Sequence, residues 1–554
     1  MENRRNRLLL ILILGFSAAM ALVCVLQMHN SPFGREPVID EKGYIDWART
    51  IASGDIVGEK VFYQAPLYPY FLGLCFRLSR GSLLFARLVQ AGLGVVTVYL
   101  VFLLGRRLFG EREGILAALI LALNGVFYFY SAILIKASLV IVLSALSCLL
   151  AVVAVDRTGL RLWLWLGITL GLLILLRGNF LALVPFVVVW AFAVNKALVM
   201  RARVARTLLL ITGIAVVIAP VSLRNYLLSG QLVITTSQGG QNYYIGNGPH
   251  ASGSYVHLPF VRPDPRWEAV DFLTEAQRRT GRSLEPAEAS RFWYKESISY
   301  LMNNPWRAIQ LQLHKARLMF HAYEIPDNYY YSFMRETFMT VLWLGFIGYG
   351  MLLGPALLGM IFSMGKEPRT WYPIIFSVIY AFSVIAFFVV SRYRVAIIPV
   401  IAVFSAHFLC LAMNWIRAKN AKLLSWAAVV LVVTTIFAYW PTPESNTSYA
   451  VSYNLTGTAL NNQGAYDLAV EYLNKAVALE PNSYYIVYNL AVALLNKGDS
   501  AEAVEYLRKA DRLKPDNPQI LSGLAVAYRR LGDSEKAQLY YERSKKLADR
   551  SGLK

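Results

Sequence analysis

Charge is what this sequence has least of. Asp, Glu, Lys and Arg make up 16% of its 554 residues, where a soluble globular domain carries about 25%. Apolar residues reach 56%, and the mean hydropathy is +0.45. For most of the chain this excludes an ordinary soluble domain and points to a bilayer. Cysteine is scarce as well. Cys24, Cys75, Cys148 and Cys410 all lie in apolar stretches, which excludes a disulfide framework. Metal-ligand spacing is missing. His250, His257, Asp264, Glu268, Asp271, His314 and His321 are scattered through one polar segment, without a paired-histidine motif and third ligand. They read as surface; no cofactor is called for, and a divalent metal is left open. The net charge of +20 does not call for nucleic acid, because short basic loops beside a membrane account for it.

What is present is a series of apolar runs. The first, from Leu8 to about Met28, follows Arg4, Arg5 and Arg7 and is long enough to cross a core of about 30 Å. No small-residue cleavage site follows it, so it reads as an uncleaved span with a cytoplasmic N-terminus. Further runs at roughly 82–104, 114–131, 136–155, 161–176, 179–195, 207–223, 338–362, 371–390, 395–415 and 423–440 bring the expected count to eleven. Basic residues collect in alternate short loops, among them Arg106, Arg107 and Arg112; Arg201, Arg203 and Arg206; and Arg417, Lys419 and Lys422. The positive-inside rule places those loops in the cytoplasm and, with an odd span count, the C-terminus outside. Two outer segments, 29–81 and 224–337, are too long for simple turns and so are candidates for function. Residues 66–78 are apolar but too short to span, and suit a helix lying in the interface.

Composition changes near residue 440, which divides the chain into an expected membrane domain, 1–440, and a helical domain, 441–554. The second repeats with a period of 34: Gly464, Gly498 and Gly532; Ala469, Ala503 and Ala537; Ala476, Ala510 and Ser544; then Pro481 and Pro515. Small residues let paired helices approach and glycine ends the first of each pair. The pattern resembles the tetratricopeptide repeat, with three copies. That implies a short solenoid whose concave face binds a protein partner, or one that serves only as a spacer. The expected fold is all-α: a polytopic membrane bundle plus a repeat solenoid.

Asp40 and Glu41 follow the first span. Glycosyl transfer from a phosphate-linked donor needs a base for the acceptor hydroxyl and cations for the departing phosphate. An acidic pair in a loop is otherwise an ordinary solvated helix start. Here it precedes Tyr44 and Tyr63-Gln64-Ala65-Pro66, then a many-span bundle. Ser131 to Ser138, Leu176-Arg177-Gly178-Asn179, Arg224-Asn225-Tyr226, Gly239 to Asn247 and Ser391-Arg392-Tyr393-Arg394 all fall on the outer side. The ordered set resembles the GT-C glycosyltransferases, in the protein mannosyltransferase and aminoarabinose-transferase-like branch. The resemblance covers most of residues 8–415. It implies an inverting transferase using a polyprenyl-phosphate sugar, with Asp40 as base and Glu41 its companion. Tyr44, Gln64, Lys136, Arg177, Arg224, Asn225, Tyr244, Asn247, Arg392, Tyr393 and Arg394 are the implied donor and substrate contacts. Gln64-Ala65 departs from the charged pair of aminoarabinose transferases and argues against that sugar.

Lys136, Arg177, Arg224, Arg392 and Arg394 would sit at headgroup depth, where each either meets a phosphate or snorkels to lipid. Tyr329-Tyr330-Tyr331 suits an interfacial aromatic belt. The acceptor is a protein, lipid or glycan, and membrane lipids surround the bundle. The resemblance implies a bacterial inner or plasma membrane, where the outer side, on which the charge topology puts the repeats, is the periplasm or the exterior of the cell. Two other readings are an O-antigen ligase or polymerase with a diphosphate-linked donor, which lacks the acidic pair, and a non-enzymatic repeat scaffold, which needs only one span.

Overall fold

The computed structural model describes residues 2–156, 159–194, 198–262, 265–365, 367–446 and 448–550. Among them every regular element is helical. In lipid each backbone N–H and C=O must be satisfied within its own segment, and a helix does this without help. Six helices are long and apolar enough to cross a bilayer: Arg4–Asn30, Leu83–Leu108, Ala137–Asp156, Met200–Ser229, Ser391–Arg417 and Ala421–Tyr439. Arg161–Leu176, Gly178–Ala193 and Tyr349–Ser363 are apolar but shorter.

The two remaining expected spans are interrupted, and each break has a backbone partner. The run 114–131 divides into Glu111–Ala122 and Gly125–Ala132. Between them the chain pairs with residues 345–347. The Gly125 amide donates to the Gly345 carbonyl at 3.0 Å, and the Ile347 amide to the Leu123 carbonyl at 2.9 Å. The Asn124 side chain donates to the Ile347 carbonyl at 2.8 Å and accepts from the Phe127 amide at 2.8 Å, so it also caps the second helix. Gly125 is required by this approach: a Cβ there would stand 2.7 Å from the Gly345 oxygen. The run 371–390 is helical only over Trp371–Ile385. The Val389 amide then donates to the Gly253 carbonyl at 2.9 Å and the Ser391 amide to the Ile325 carbonyl at 3.0 Å. This second break delivers Ser391–Arg394 beside residues 325–328.

Contacts divide the chain into two compact units. The first comprises residues 1–26, 39–335 and 339–441. Its long polar segments are themselves helical. Ile39–Ala52 packs on Leu67–Ser79, which buries Tyr68, Leu72 and Phe76 and leaves Leu74 and Leu78 exposed. The later segment folds into Gly239–Asn247, Pro265–Thr280, Pro286–Asn303 and Pro305–Met319 around Trp293. The Trp293 indole donates to the Phe272 carbonyl at 3.1 Å. Pro265–Thr280 packs on Ile39–Ala52.

The second unit comprises residues 442–554 together with 27–38 and 336–338. Its helix pairs are Ala450–Asn462 with Tyr466–Leu479, Tyr484–Lys497 with Ser500–Leu513, and Pro518–Arg530 with Ser534–Arg550. Gly464, Gly498 and Gly532 make the turns at positive φ, and Leu473, Leu490, Leu507 and Leu524 fill the core between the small repeat residues. Asn489 donates to Asn454 at 2.9 Å and Asn496 to Asn461 at 3.1 Å, linking successive repeats. Phe33 is buried edge-on to Phe338 at 5.9 Å. Gln463 donates to the Pro32 carbonyl at 2.6 Å, and Tyr449 to Glu336 at 3.2 Å.

Candidate active site

Asp40 and Glu41 open the helix Ile39–Ala52. Neighbours on a helix point about 100° apart, so the two carboxylates meet different surroundings. Glu41 is fully buried. It pairs with Arg87 at 3.0 Å, accepts the Leu134 amide at 3.0 Å, and accepts the Tyr329 hydroxyl at 2.6 Å. Arg87 is equally buried, inside a membrane helix. These partners occupy the Glu41 carboxylate in holding the helix start against the bundle. Tyr329 is therefore internal, and Tyr331 is buried as well, so neither forms the expected interfacial belt.

Asp40 faces the other way and forms an ion pair with Arg392, which also pairs with Asp327. Asn328 and the charge of Lys136 complete its surroundings. Burial pushes the Asp40 carboxyl up, but the Arg392 charge and hydrogen bond, with Lys136 and Asn328, pull it below its ordinary value. Asp327 moves upward, chiefly through burial and also through the Asp40 charge, against the pull of Arg392. Asp40 is thus the carboxylate that stays ionised. The preceding residue, Ile39, has φ of 52°, a left-handed conformation that a β-branched residue resists. Strain therefore sits one residue from the candidate base.

Beside this cluster lies a cavity of about 870 Å³ whose wall includes Lys136, Arg177, Asn179, Asn242, Tyr294 and Tyr393. Leu181, Leu232 and Val384 supply apolar lining. Arg177 is held by Tyr380 at 3.0 Å, by the Arg392 carbonyl and by the Tyr393 ring at 4.6 Å. Burial first, then Arg392 and Arg177, bring the Lys136 amine down to about 7. The cavity thus offers two cations and Tyr393 at one end, and a mixed polar and apolar wall elsewhere.

Five of the expected residues, Asp40, Lys136, Arg177, Arg392 and Tyr393, are therefore together. Tyr44 lies one helical turn from Asp40, buried edge-on to Tyr68 at 5.2 Å. Gln64 is half-buried between Tyr63 and the cavity residue Ala65. The others serve the scaffold. Arg224 donates to the Val57 and Lys60 carbonyls at 2.6 and 2.9 Å and stacks on Phe62. Asn225 holds the Val233 and Thr235 carbonyls, both at 3.1 Å. Tyr244 packs on Trp293 at 4.5 Å. Asn247 donates to the Ala386 carbonyl at 2.9 Å and accepts from Lys315 at 2.7 Å. Arg394 is buried on Glu324 at 2.8 Å and on nearby carbonyls.

Sequence reasoning missed Arg87, Asp327 and the placement of Glu268. Arg87 carried a signal, as the one charge in the apolar run from Leu83 to Gly105. Asp327 carried none, being distant in sequence from both Asp40 and Arg392. Glu268 is not plain surface: its carboxyl accepts the Tyr63 hydroxyl at 2.7 Å and feels Asp40, Arg392 and Asp327. Asp264 lies outside the described residues. Among the described residues no group of three or more His, Cys, Asp or Glu is placed to hold a metal ion.

With this geometry in view, residues 63–223 match the family described as dolichyl-phosphate-mannose-protein mannosyltransferase. Residues 454–518 and 494–549 match tetratricopeptide-repeat families. The first match takes in Gln64, Lys136 and Arg177 and begins after Asp40. The chain is similar to an archaeal oligosaccharyltransferase from Archaeoglobus fulgidus in complex with an inhibitory peptide and a dolichol-phosphate. Identity is 16%, over 83% of this chain and 59% of that one, with a TM-score of 0.42. It is also similar to the oligosaccharyltransferase of that organism tethered with an acceptor peptide, at 14% identity over 84% and 58%, with a TM-score of 0.44. The structure described as MamA MSR-1 C2 matches at 22% identity over 26% of this chain and 75% of that one, with a TM-score of 0.18. The chain thus spans under two thirds of the length of the oligosaccharyltransferases it resembles. No curated protein sequence matches. The chain carries a mannosyltransferase-family segment in its membrane unit and tetratricopeptide repeats at its C-terminus, as expected, and the family match supports a membrane glycosyltransferase.

Proposed function

We propose that the protein transfers a sugar from a polyprenyl-phosphate donor to an acceptor hydroxyl at the outer face of a membrane. The observation that carries this reading is the Asp40–Arg392 ion pair, set beside a cavity walled by Lys136, Arg177 and Tyr393. In the reaction the acceptor oxygen attacks the anomeric carbon as its proton passes to Asp40. The bond between that carbon and the phosphate oxygen breaks, and polyprenyl phosphate leaves with the electron pair. Single displacement inverts the anomeric centre. Arg392 keeps Asp40 ionised in spite of burial, so the base is ready near neutral pH. The Lys136 point charge and the Arg177 fork offset the charge gained by the phosphate. The apolar wall takes the start of the prenyl chain. The acceptor is a protein, lipid or glycan, which the repeat unit brings in.

The test uses the full chain in lipid nanodiscs with polyprenyl-phosphate mannose. Asp40→Asn keeps shape and removes the base, so it should lower turnover about 10²–10⁴-fold while donor binding persists. Turnover at the wild-type rate in a folded Asp40→Asn protein would sink the assignment.

A further inference from the structure

One half-buried group at the site has no part in the chemistry just described. Glu268 stands on Pro265–Thr280, the helix packed on the one that carries Asp40. Its carboxyl accepts the Tyr63 hydroxyl at 2.7 Å. The ionisable groups that face it are Tyr63, Tyr255, Asp40, Asp327 and Arg392. Arg392 is already shared between Asp40 and Asp327. Glu268 is thus a third carboxyl in one site, and among the described residues no cation is paired with it. Such a group is costly to bury unless a ligand completes it. Burial, aided by the Asp40 charge and opposed by the Tyr63 hydrogen bond, brings it up to about 7.

Two further observations say which ligand. Neither Glu268 nor Tyr63 is among the residues that line the cavity holding Lys136 and Arg177. Next to Glu268, Trp267 is exposed, and its ring is backed by the Arg262 guanidinium at 3.8 Å. Asp271 fixes that guanidinium from two nitrogens, at 2.6 and 3.0 Å. An exposed aromatic face held from behind, one residue along the helix from the carboxyl, suits a polar, flat group approaching from outside.

We propose that Glu268 is an acceptor-positioning residue: its carboxyl takes an N–H or O–H that flanks the acceptor hydroxyl, while Trp267 supports the group carrying it. This rests on the transferase reading above. A carboxylate accepts such a bond and, when ionised, accepts it more strongly. The flanking bond turns the acceptor hydroxyl toward Asp40.

The full chain in nanodiscs is given polyprenyl-phosphate mannose and two competing primary alcohols, ethanol and N-acetylserinamide, which has a flanking N–H. The wild type should favour N-acetylserinamide, with a preference that rises as pH passes through about 7. Glu268→Ala should lower transfer to N-acetylserinamide at least tenfold while transfer to ethanol and donor hydrolysis, which use no flanking N–H, stay within about twofold. Glu268→Gln retains an oxygen acceptor, so it should keep a preference that no longer changes with pH. A merely structural role for Glu268 predicts that transfer to ethanol and hydrolysis fall with transfer to N-acetylserinamide in Glu268→Ala, and that result overturns the inference. So does an unchanged preference in an active Glu268→Ala protein. A wild type that consumes no donor overturns the transferase reading and this inference with it.

Discussion

Glu41 and Asp40 are neighbours with opposite demands, and a substitution at Glu41 measures the difference. Glu41→Ala takes from the buried Arg87 guanidinium the carboxylate it pairs with at 3.0 Å, which costs about 3–5 kcal/mol. It also leaves the Leu134 amide and the Tyr329 hydroxyl without their acceptor, adding about 1–3 kcal/mol for each group that finds no other. A single loss above about 5 kcal/mol is comparable with the whole stability of many domains, about 5–15 kcal/mol. The melting temperature of the detergent-solubilised protein, followed by size-exclusion chromatography after heating, should fall by on the order of 10 °C. Arg87→Met should also destabilise, since it strands Glu41. Glu41→Leu combined with Arg87→Met removes both charges, and should recover a good part of the loss, with a coupling of about 3 kcal/mol. Asp40→Asn should melt much closer to the wild type. A Glu41→Ala protein melting within 2 °C of wild type, on the order of 1 kcal/mol, would refute this assignment. So would strictly additive effects of the two single substitutions.

Lys136 sets a pH dependence. Its free-site value of about 7 means that it is increasingly neutral above that pH. A bound phosphate favours the charged form, so donor binding takes up a proton there. Affinity for a phosphodiester donor should hold below about pH 7 and weaken by up to about tenfold per unit above it. Titration of donor binding against pH checks this, and Lys136→Met should bind weakly with no such slope. Gly125→Ala should destabilise by about 1–3 kcal/mol, because its methyl meets the Gly345 carbonyl oxygen. Thermal melting reads it directly, and a neutral substitution would mean that the strand-like pairing at Asn124 is not required.

The membrane character was legible because a bilayer imposes length and apolarity on any helix that crosses it, whatever the tertiary fold. The two breaks were not legible. The runs 114–131 and 371–390 stay apolar straight through Asn124 and Ala386, and hydropathy cannot see that residues 345–347, 253 and 325 take over the backbone hydrogen bonds. The repeats were readable from spacing, since each glycine and alanine answers a local turn or close approach. Asp40 was singled out by its position after the first span and the motifs that follow. Its adjacency to Glu41 concealed that one faces a cavity-side cluster and the other a buried guanidinium. Asp327 and Glu268 reach the cluster from more than two hundred residues beyond Asp40. Their arrival depends on the breaks and on the packing of Pro265–Thr280, which no local pattern encodes.

The segment 27–38 ends at the residue before Ile39, yet its contacts group it with the repeats. Phe33 and the carbonyl of Pro32 find their partners at Phe338 and Gln463. A chain ended at Pro441 would therefore lose more than a binding module. It would strip a hydrogen bond and packing surface from the stretch that leads into Asp40. Inactivity after such a truncation is expected even if the repeats never touch the acceptor. Substitutions on the concave face that leave Gln463 and Tyr449 in place separate recruitment from support.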